Sequence, residues 1–383
     1  MDFNFTPEQE AYRQMIRAFV KRETSPELDR EIEDNERFPE ELMPKLAATG
    51  IYGVCFPEEY GGTGGNAVDF ALTVEELAYG SEAAAACYLL PVFFAGQMVL
   101  LNGSEEQKKK YLPQIIAGKL KGCFALTEPG AGSDAAAIVT KGVADGPDHF
   151  VINGYKHYIS GADVADYIMT CTRTDKDRYN GITIFMVDRK SPGVSIRKVQ
   201  KLGSRCMSLC EITYENVRVP KEMIIGGPEA LDRGWYQMMS SLDMERIMVA
   251  ASHVALAQKA YESALEHAKV REQFGRVISK FQAIQWQLVN MAIDLEAGRN
   301  LVYKAAWKAA SGDRMSVEGS IAKVFCTEMA ARVTQSAMQV VGGQSYLMES
   351  DLQRWTRMAL LGPIGMGTNN IQRMIIATGL GLV

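Results

Sequence analysis

The sequence predicts a mostly α-helical protein with a central β domain. Residues 1–120 show helix-start signals and amphipathic charged runs, residues 121–232 switch to short β-branched runs between turn residues, and residues 233–383 hold long stretches poor in Gly and Pro. The order helical domain, β domain, helical bundle excludes a doubly wound dinucleotide fold, in which strands and helices alternate throughout. At 383 residues the chain is long enough for about two or three domains and a large core.

The first domain opens at Thr6-Pro7-Glu8, an N-cap with Pro at the first helical position, and an amphipathic run continues to about Arg22. Pro57 to Gly65 reads as a glycine-rich loop. Residues 83–101 carry no charge and approach the ~20 apolar residues that span a bilayer. Pro91 and Gln97 interrupt them and no Lys/Arg flank follows, so a buried helix is expected and no membrane span. Lys108-Lys109-Lys110, after Glu105 and Glu106, reads as a solvated helix face. Met1 to Phe5 has neither a basic nor an apolar run, so no secretory signal is expected.

In the middle, Phe150-Val151-Ile152, Tyr167 to Thr172, Ile182 to Val187, Val194 to Ile196 and Ile212 to Val219 alternate with turn signals. Those turns are Asp145-Gly146-Pro147, Asn153-Gly154, Ser191-Pro192-Gly193 and Val219-Pro220, and the pattern predicts a small antiparallel sheet. Trp235 to Phe274 contains no Gly or Pro and as one helix would be ~60 Å long at 1.5 Å per residue. Further helices are expected from about Lys280 to Ala310 and from about Val317 to Val341, packed as an antiparallel bundle.

The formal net charge of −5 and pI of about 5.6 leave no electrostatic footprint for nucleic acid. Seven scattered cysteines with no CxxC fit a reducing, cytoplasmic setting; Cys206 and Cys210 are near enough in sequence to pair, though nothing demands it. Four histidines without HExxH or zinc spacing point to no metal.

Four segments could carry chemistry. TEPGAGSD (127–134) and GMGTNN (365–370) are either tight turns or places where small residues let backbone N–H groups approach a phosphate. REQFGR (271–276) with Phe281-Gln282 is either a capped helix end or a nucleotide clamp built from charge and stacking. LDMER (242–246) is either a solvated ion pair on a helix or an acid–base site.

Taken together and in order, TEPGAGSD, NGYKHYIS (153–160), REQFG (271–275), Phe281-Gln282, QVVGG (339–343) and Gly367-Thr368 resemble the acyl-CoA dehydrogenase family of flavoenzymes across essentially the whole chain. The resemblance implies an antiparallel β middle domain and a C-terminal four-helix bundle in a homotetramer. It also implies FAD, an acyl-CoA thioester as substrate, and an electron-transfer flavoprotein or similar acceptor. Carried over by position, Phe124, Leu126, Thr127 and Ser133 line the flavin and the thioester end. Tyr158 stands where the family usually has Trp, and Ser160 where a Thr often bonds the reactive flavin nitrogen. Arg271, Gln273, Phe274, Phe281 and Gln282 bind the cofactor largely across a subunit contact, joined by Gln339, Gly342, Gly343, Thr368 and Asn370. Ser133, Asp243, Arg246, Met366 and Gly367 fall on the substrate side.

One departure matters. The family's usual catalytic Glu precedes Gly-Thr in the last segment, where this chain has Met366, and a thioether cannot take a proton. A minority, including isovaleryl-CoA and long-chain members, places the Glu on a bundle helix, which corresponds here to Glu245. The implied reaction is α,β-dehydrogenation: Glu245 takes the α proton, the β hydrogen leaves as hydride to flavin, and the backbone N–H of Met366 helps polarise the thioester carbonyl. CEIT (210–213) and AAWK (305–308) resemble the crotonobetainyl-CoA reductase branch, so an enoyl-CoA reductase is the alternative, and a catalytically altered CoA-binding protein a third. Gly362, Pro363 and Gly365 suggest a loosened wall with room for a branched, cyclic or polar acyl group.

Overall fold

The computed structural model describes residues 4–382; Met1 to Phe3 of the expected signal-free N-terminus lie outside the described residues. The N-terminal domain comprises α1 (Pro7–Glu23), α2 (Pro26–Asp34), α3 (Met43–Ala48), α4 (Ala67–Gly80), α5 (Glu82–Leu89), α6 (Met98–Asn102) and α7 (Glu105–Ile116). Helix α1 starts at a capping box: the Gln9 N–H donates to the Thr6 hydroxyl and the Thr6 N–H donates back to the Gln9 side chain. Helices α5 and α6 are joined by a π-helical run, Leu90–Gln97. Pro91 lacks an N–H and its ring crowds the preceding turn, which the wider π geometry relieves. The whole rod is long and apolar enough to cross a membrane, yet 78% of its most apolar window is buried inside this fold. In α7, Lys108 pairs with Glu105 at 2.9 Å while Lys109 and Lys110 face solvent.

The sheet contains β1 (Gly122–Ala125), β2 (Lys141–Asp145), β3 (His149–Ser160), β4 (Tyr167–Arg173), β5 (Ile182–Asp188), β6 (Val194–Val199) and β7 (Leu209–Pro220). Strand β5 pairs along one edge of β4, β1 and the end of β2 share the other, and β3, β7 and β6 follow outward from β2. Two expectations need correcting. The sheet is not wholly antiparallel, because β1 and β2 run parallel to β4. The long excursion through β2 and β3 gives the chain the crossover that a parallel pair requires. Nor is Asn153-Gly154 a turn: β3 continues through it as a bulge, with Gly154 at φ 156°. A side chain at Gly154 would meet Thr140 atoms at 2.5–2.7 Å, so this glycine serves close approach.

The C-terminal domain has α8 (Gly234–Val270), a two-strand hairpin of β8 (Glu272–Gln273) and β9 (Arg276–Val277), α9 (Gln282–Ala310), α10 (Ser316–Val341), α11 (Asp351–Ala359) and α12 (Asn369–Gly379). The fourth bundle position is filled in two pieces, α11 and α12, both packed on α10. Gly362-Pro363 and the glycines at 365 and 367 break the helix between them. Buried alanines (Ala250 and Ala257 on α8; Ala322, Ala330 and Ala337 on α10) let the long helices approach closely. All seven cysteines are free thiols, so Cys206 and Cys210 do not pair.

The two helical domains share one continuous core, and the sheet has a second. Strand β5 joins them: Ile182, Ile184 and Met186 face the helices, while Phe185 and Val187 face the sheet's own core. Gly154→Ala should lower stability by about 2 kcal/mol through overpacking against Thr140. Thermal melting checks this, and an unchanged Tm would mean the bulge yields freely.

Candidate active site

Strand β1 leaves the sheet through Leu126 into the TEPGAGSD loop, which folds back on β3. The His157 N–H donates to Thr127 O at 2.8 Å. Beneath, the fully buried Lys156 donates from Nζ to Leu126 O at 2.9 Å and to Glu128 Oε1 at 2.8 Å. Glu128 also accepts from the N–H groups of Val139, at 2.7 Å, and Thr140, at 3.0 Å. Burial lowers the Lys156 pKa, with Cys171 and Glu128 opposing. Burial raises that of Glu128, but Lys156 and the amide donors outweigh it and hold the carboxyl below its usual range.

This clamp sets Phe124, Leu126 and Thr127 beside the end of β3 that carries Tyr158 and Ser160. The hydroxyls of Thr127, Ser133 and Ser160 have no partner among the described residues, and Gly130 and Gly132 face open space. Tyr158 is held at φ 61°, is 60% exposed, and stacks on the His157 ring with centroids 3.8 Å apart. His157 Nε2 lies 3.1 Å from Glu211. Free hydroxyls, two glycines with open space around them and a projecting aromatic ring suit the edge and face of a flavin.

The second constellation lies around the hairpin. A cavity of about 350 Å³ is lined by Arg271, Gln273, Phe274 and Phe281 together with His267 and Val341. Phe274, at φ 53°, is 94% exposed, and Arg276 lies 4.2 Å from the Phe281 ring centroid. Gln282, Gln339, Gly342 and Gly343 are exposed at the adjoining helix ends. Cation and aromatic faces over an apolar floor suit a pyrophosphate and an adenine. No residue of the TEPGAGSD clamp lines this cavity. A larger cavity of about 610 Å³ elsewhere is lined by Arg13, Arg17, Glu75, Glu76 and Arg299, whose charges pair with one another, and none of the expected site residues lines it.

The third constellation joins α8, α10 and the loop before α12. Glu245, half-buried on α8, has no hydrogen-bond or ion-pair partner among the described residues. Burial pushes its carboxyl up to about 7 against the pull of Arg246 and Lys323. The buried Arg246 is bound by Asp243, which also accepts from the Ser316 hydroxyl at 2.9 Å. Arg246 thus serves as a braced charge beside Glu245, with Asp243 as its brace. Met366 is exposed at φ 52°. Thr368 caps α12, accepting from the Ile371 N–H at 3.3 Å, and Asn370 is exposed.

The expected room at Gly362 is not there. A side chain at that position would meet His253 Nε2 at 2.3 Å and Thr327 at 2.8 Å. His253 itself is neutral, pushed down to about 4 by burial. Sequence reasoning missed four residues: Glu128 and Lys156 of the clamp, and Lys323 and Asn369, which bind each other beneath the Met366 loop. The signal for Lys323 is a charge inside the apolar run Ile321-Ala-Lys323-Val-Phe325. Among the described residues no group of three or more His, Cys, Asp or Glu could hold a metal ion.

Family profiles described as Acyl-CoA dehydrogenase N-terminal, middle and C-terminal domains match residues 6–119, 123–217 and 232–381. The chain is 39% identical to the 3-(aryl)acrylate reductase of Clostridium sporogenes, over 98% of this chain and 99% of that one. It is 37% identical to the caffeyl-CoA reductase-Etf complex subunit CarC of Acetobacterium woodii, over 97% and 98%. Butyryl-CoA dehydrogenase from Megasphaera elsdenii superposes with a TM-score of 0.94 at 34% identity, covering 99% of this chain and 100% of that one.

Lys156→Met leaves Glu128 buried without its cation, a change that costs about 3–5 kcal/mol for buried pairs. The purified variant should lose most of its bound flavin and melt earlier. Retention of the wild-type flavin content would separate the clamp from cofactor binding.

Proposed function

The chain belongs to the acyl-CoA dehydrogenase family, and from that premise we propose that this oxidoreductase interconverts an acyl-CoA thioester and its α,β-enoyl-CoA with Glu245 moving the α proton. The observation that carries the reading is the half-buried carboxyl of Glu245, which has no partner among the described residues. A structural carboxylate so placed would be neutralised by a contact partner, whereas Glu245 is only influenced at a distance by Arg246 and Lys323. The family's cofactor is FAD, which when bound supplies the hydride acceptor for the β carbon.

The protein's own groups divide the remaining tasks. Glu245 holds or releases the proton at the α carbon. The braced Arg246 keeps the ionised carboxylate accessible near neutral pH. The Met366 N–H polarises the thioester oxygen, a role any side chain at that position permits. Thr127, Ser133, Tyr158 and Ser160 hold the flavin ring, with Phe124 and Leu126 behind. Arg271, Gln273, Phe274, Phe281 and Gln282, with Gln339, Gly342, Gly343, Thr368 and Asn370, take the rest of FAD. Ser133, Asp243, Arg246 and Gly367 border the acyl-CoA.

The cavity at the hairpin shares no residue with the flavin clamp, which supports a cofactor site completed by a second copy in a homotetramer. The exposed Phe274 and the apolar stripe Trp286, Val289 and Ile293 on α9 support the same assembly. An electron-transfer flavoprotein or similar acceptor is the proposed partner, supported by the Etf complex of the Acetobacterium relative. The free thiols support a cytoplasmic setting.

The names of two relatives, both reductases, favour saturation of an enoyl-CoA as the second reading of the same site. The two directions need opposite states of Glu245. Proton abstraction uses the carboxylate, so dehydrogenation should rise as pH increases through about 7 and then level. Reduction uses the carboxylic acid and should fall through the same range.

Anaerobic titration of the flavin-loaded protein with straight, branched, cyclic and aryl acyl-CoAs, followed by flavin bleaching, tests the chemistry. Reoxidation of the reduced protein by an enoyl-CoA tests the reverse. Glu245→Gln should lower either rate by about 10³-fold with flavin retained, and full turnover in that variant would remove Glu245 as the proton carrier. Trp286→Lys should shift sedimentation toward smaller species and release FAD, while an unchanged tetramer would place the subunit contact elsewhere.

A further inference from the structure

Lys323 on α10 is fully buried, yet it touches no carboxylate. Its Nζ has three acceptors: Gly365 O at 3.2 Å, Gly367 O at 2.9 Å and Asn369 Oδ1 at 2.9 Å. The Asn369 amide is oriented by its other end, since Nδ2 donates to Glu328 at 3.0 Å. None of these oxygens can donate, so each contact requires a lysine N–H, and only the ammonium has three. A full positive charge therefore lies against the negative ends of two peptide dipoles.

In a trans peptide the carbonyl and the following N–H point in opposite directions. Gly365 O on Lys323 aims the Met366 N–H away from the lysine, and Gly367 O does the same for Thr368. The N–H groups of Met366, Gly367 and Thr368 have no partner among the described residues. Met366 and Gly367 are both left-handed, at φ 52° and 68°. Successive N–H groups in such a bend form a concave surface for negative charge.

We propose that Lys323 is a positioning residue for the reaction: its ammonium pins the carbonyls on both sides of Met366, and so directs and strengthens the Met366 N–H as donor to the thioester oxygen. A cation on the carbonyl polarises the peptide and makes its N–H a better donor. The inference rests on the reading of this site as an α-proton-transfer centre. The charged and titratable groups facing Lys323 are Glu245, Arg246 and the neutral His253 on α8, and Glu328 on its own helix.

The test uses flavin-loaded Lys323→Met, Lys323→Gln and Lys323→Arg with a 3-thia-acyl-CoA. Its α proton can leave, but the sulfur at the β position carries no hydrogen to transfer. The charge-transfer band of the bound enolate then reports α-proton acidity without turnover. The neutral variants should lose about 100-fold in that acidity and in kcat, with KM changing less than about threefold, and Lys323→Arg should recover most of the loss. Wild-type acidity in a neutral variant overturns the proposal. Full turnover in Glu245→Gln would instead sink the proton-carrier assignment and leave the Lys323 result standing.

If no Lys323 variant loads flavin, Glu245→Gln with a saturated acyl-CoA decides. Burial has brought Lys323 down to about 8, and removing the Glu245 charge moves it lower still. The thioester carbonyl stretch should shift toward its free value as pH rises through that point. A frequency constant from about pH 5 to about pH 10 overturns the proposal.

Discussion

A lysine ammonium taken wholly out of water must find its acceptors inside the protein, and this fold makes that demand twice. Lys156 and Lys323 are both fully buried, and each uses main-chain carbonyls as part of its set. Carbonyls recruited this way belong to loops without regular hydrogen bonding of their own. Each lysine therefore fixes a loop that helix or sheet geometry would leave free: Lys156 the start of TEPGAGSD, Lys323 the turn around Met366. Strand β3 supplies the first cation and helix α10 the second, so the rigid elements dictate where the loops' free N–H and hydroxyl groups point.

The same desolvation acts on Glu245. Burial weakens the proton affinity of both lysines, which keep acceptors around the ammonium, whereas the carboxyl has no contact partner and its affinity for a proton rises. Arg246 could have quenched it, but Asp243 holds that guanidinium, and Ser316 in turn binds Asp243. An acid near neutrality between two restrained cations is able both to take and to give a proton. In the proposed reaction the proton carrier is on α8, so the Met366 side chain has no chemical duty and only its backbone donor takes part.

How far these features could be read in the chain depends on their range. The N-cap at Thr6 and the β-branched runs from Tyr167 to Val187 are local patterns that formed the elements they announced, while the Gly- and Pro-free run from Trp235 to Phe274 formed a helix that stops at Val270, ahead of the hairpin. Asn153-Gly154 misled because a turn and a bulge share the same residues, and only the Thr140 backbone lying against Gly154 selects the bulge. Gly362 misled for a like reason: a missing side chain signals space or close contact, and here His253 fills it.

The sequence alone determined the order of the domains and that a thioether, not a carboxylate, stands at position 366, because periodicity, turn chemistry and residue type are properties of neighbours in the chain. The tertiary structure decided that Lys323 and Asn369 underlie the Met366 loop, that Lys156 and Glu128 clamp the other loop, and that Glu245 is half-buried without being paired. Glu128 and Lys156 stand 28 positions apart in the chain, and Lys323 and Asn369 stand 46 apart. Burial and the direction of a peptide dipole arise only when helices and sheet close on one another, so no local pattern can encode them.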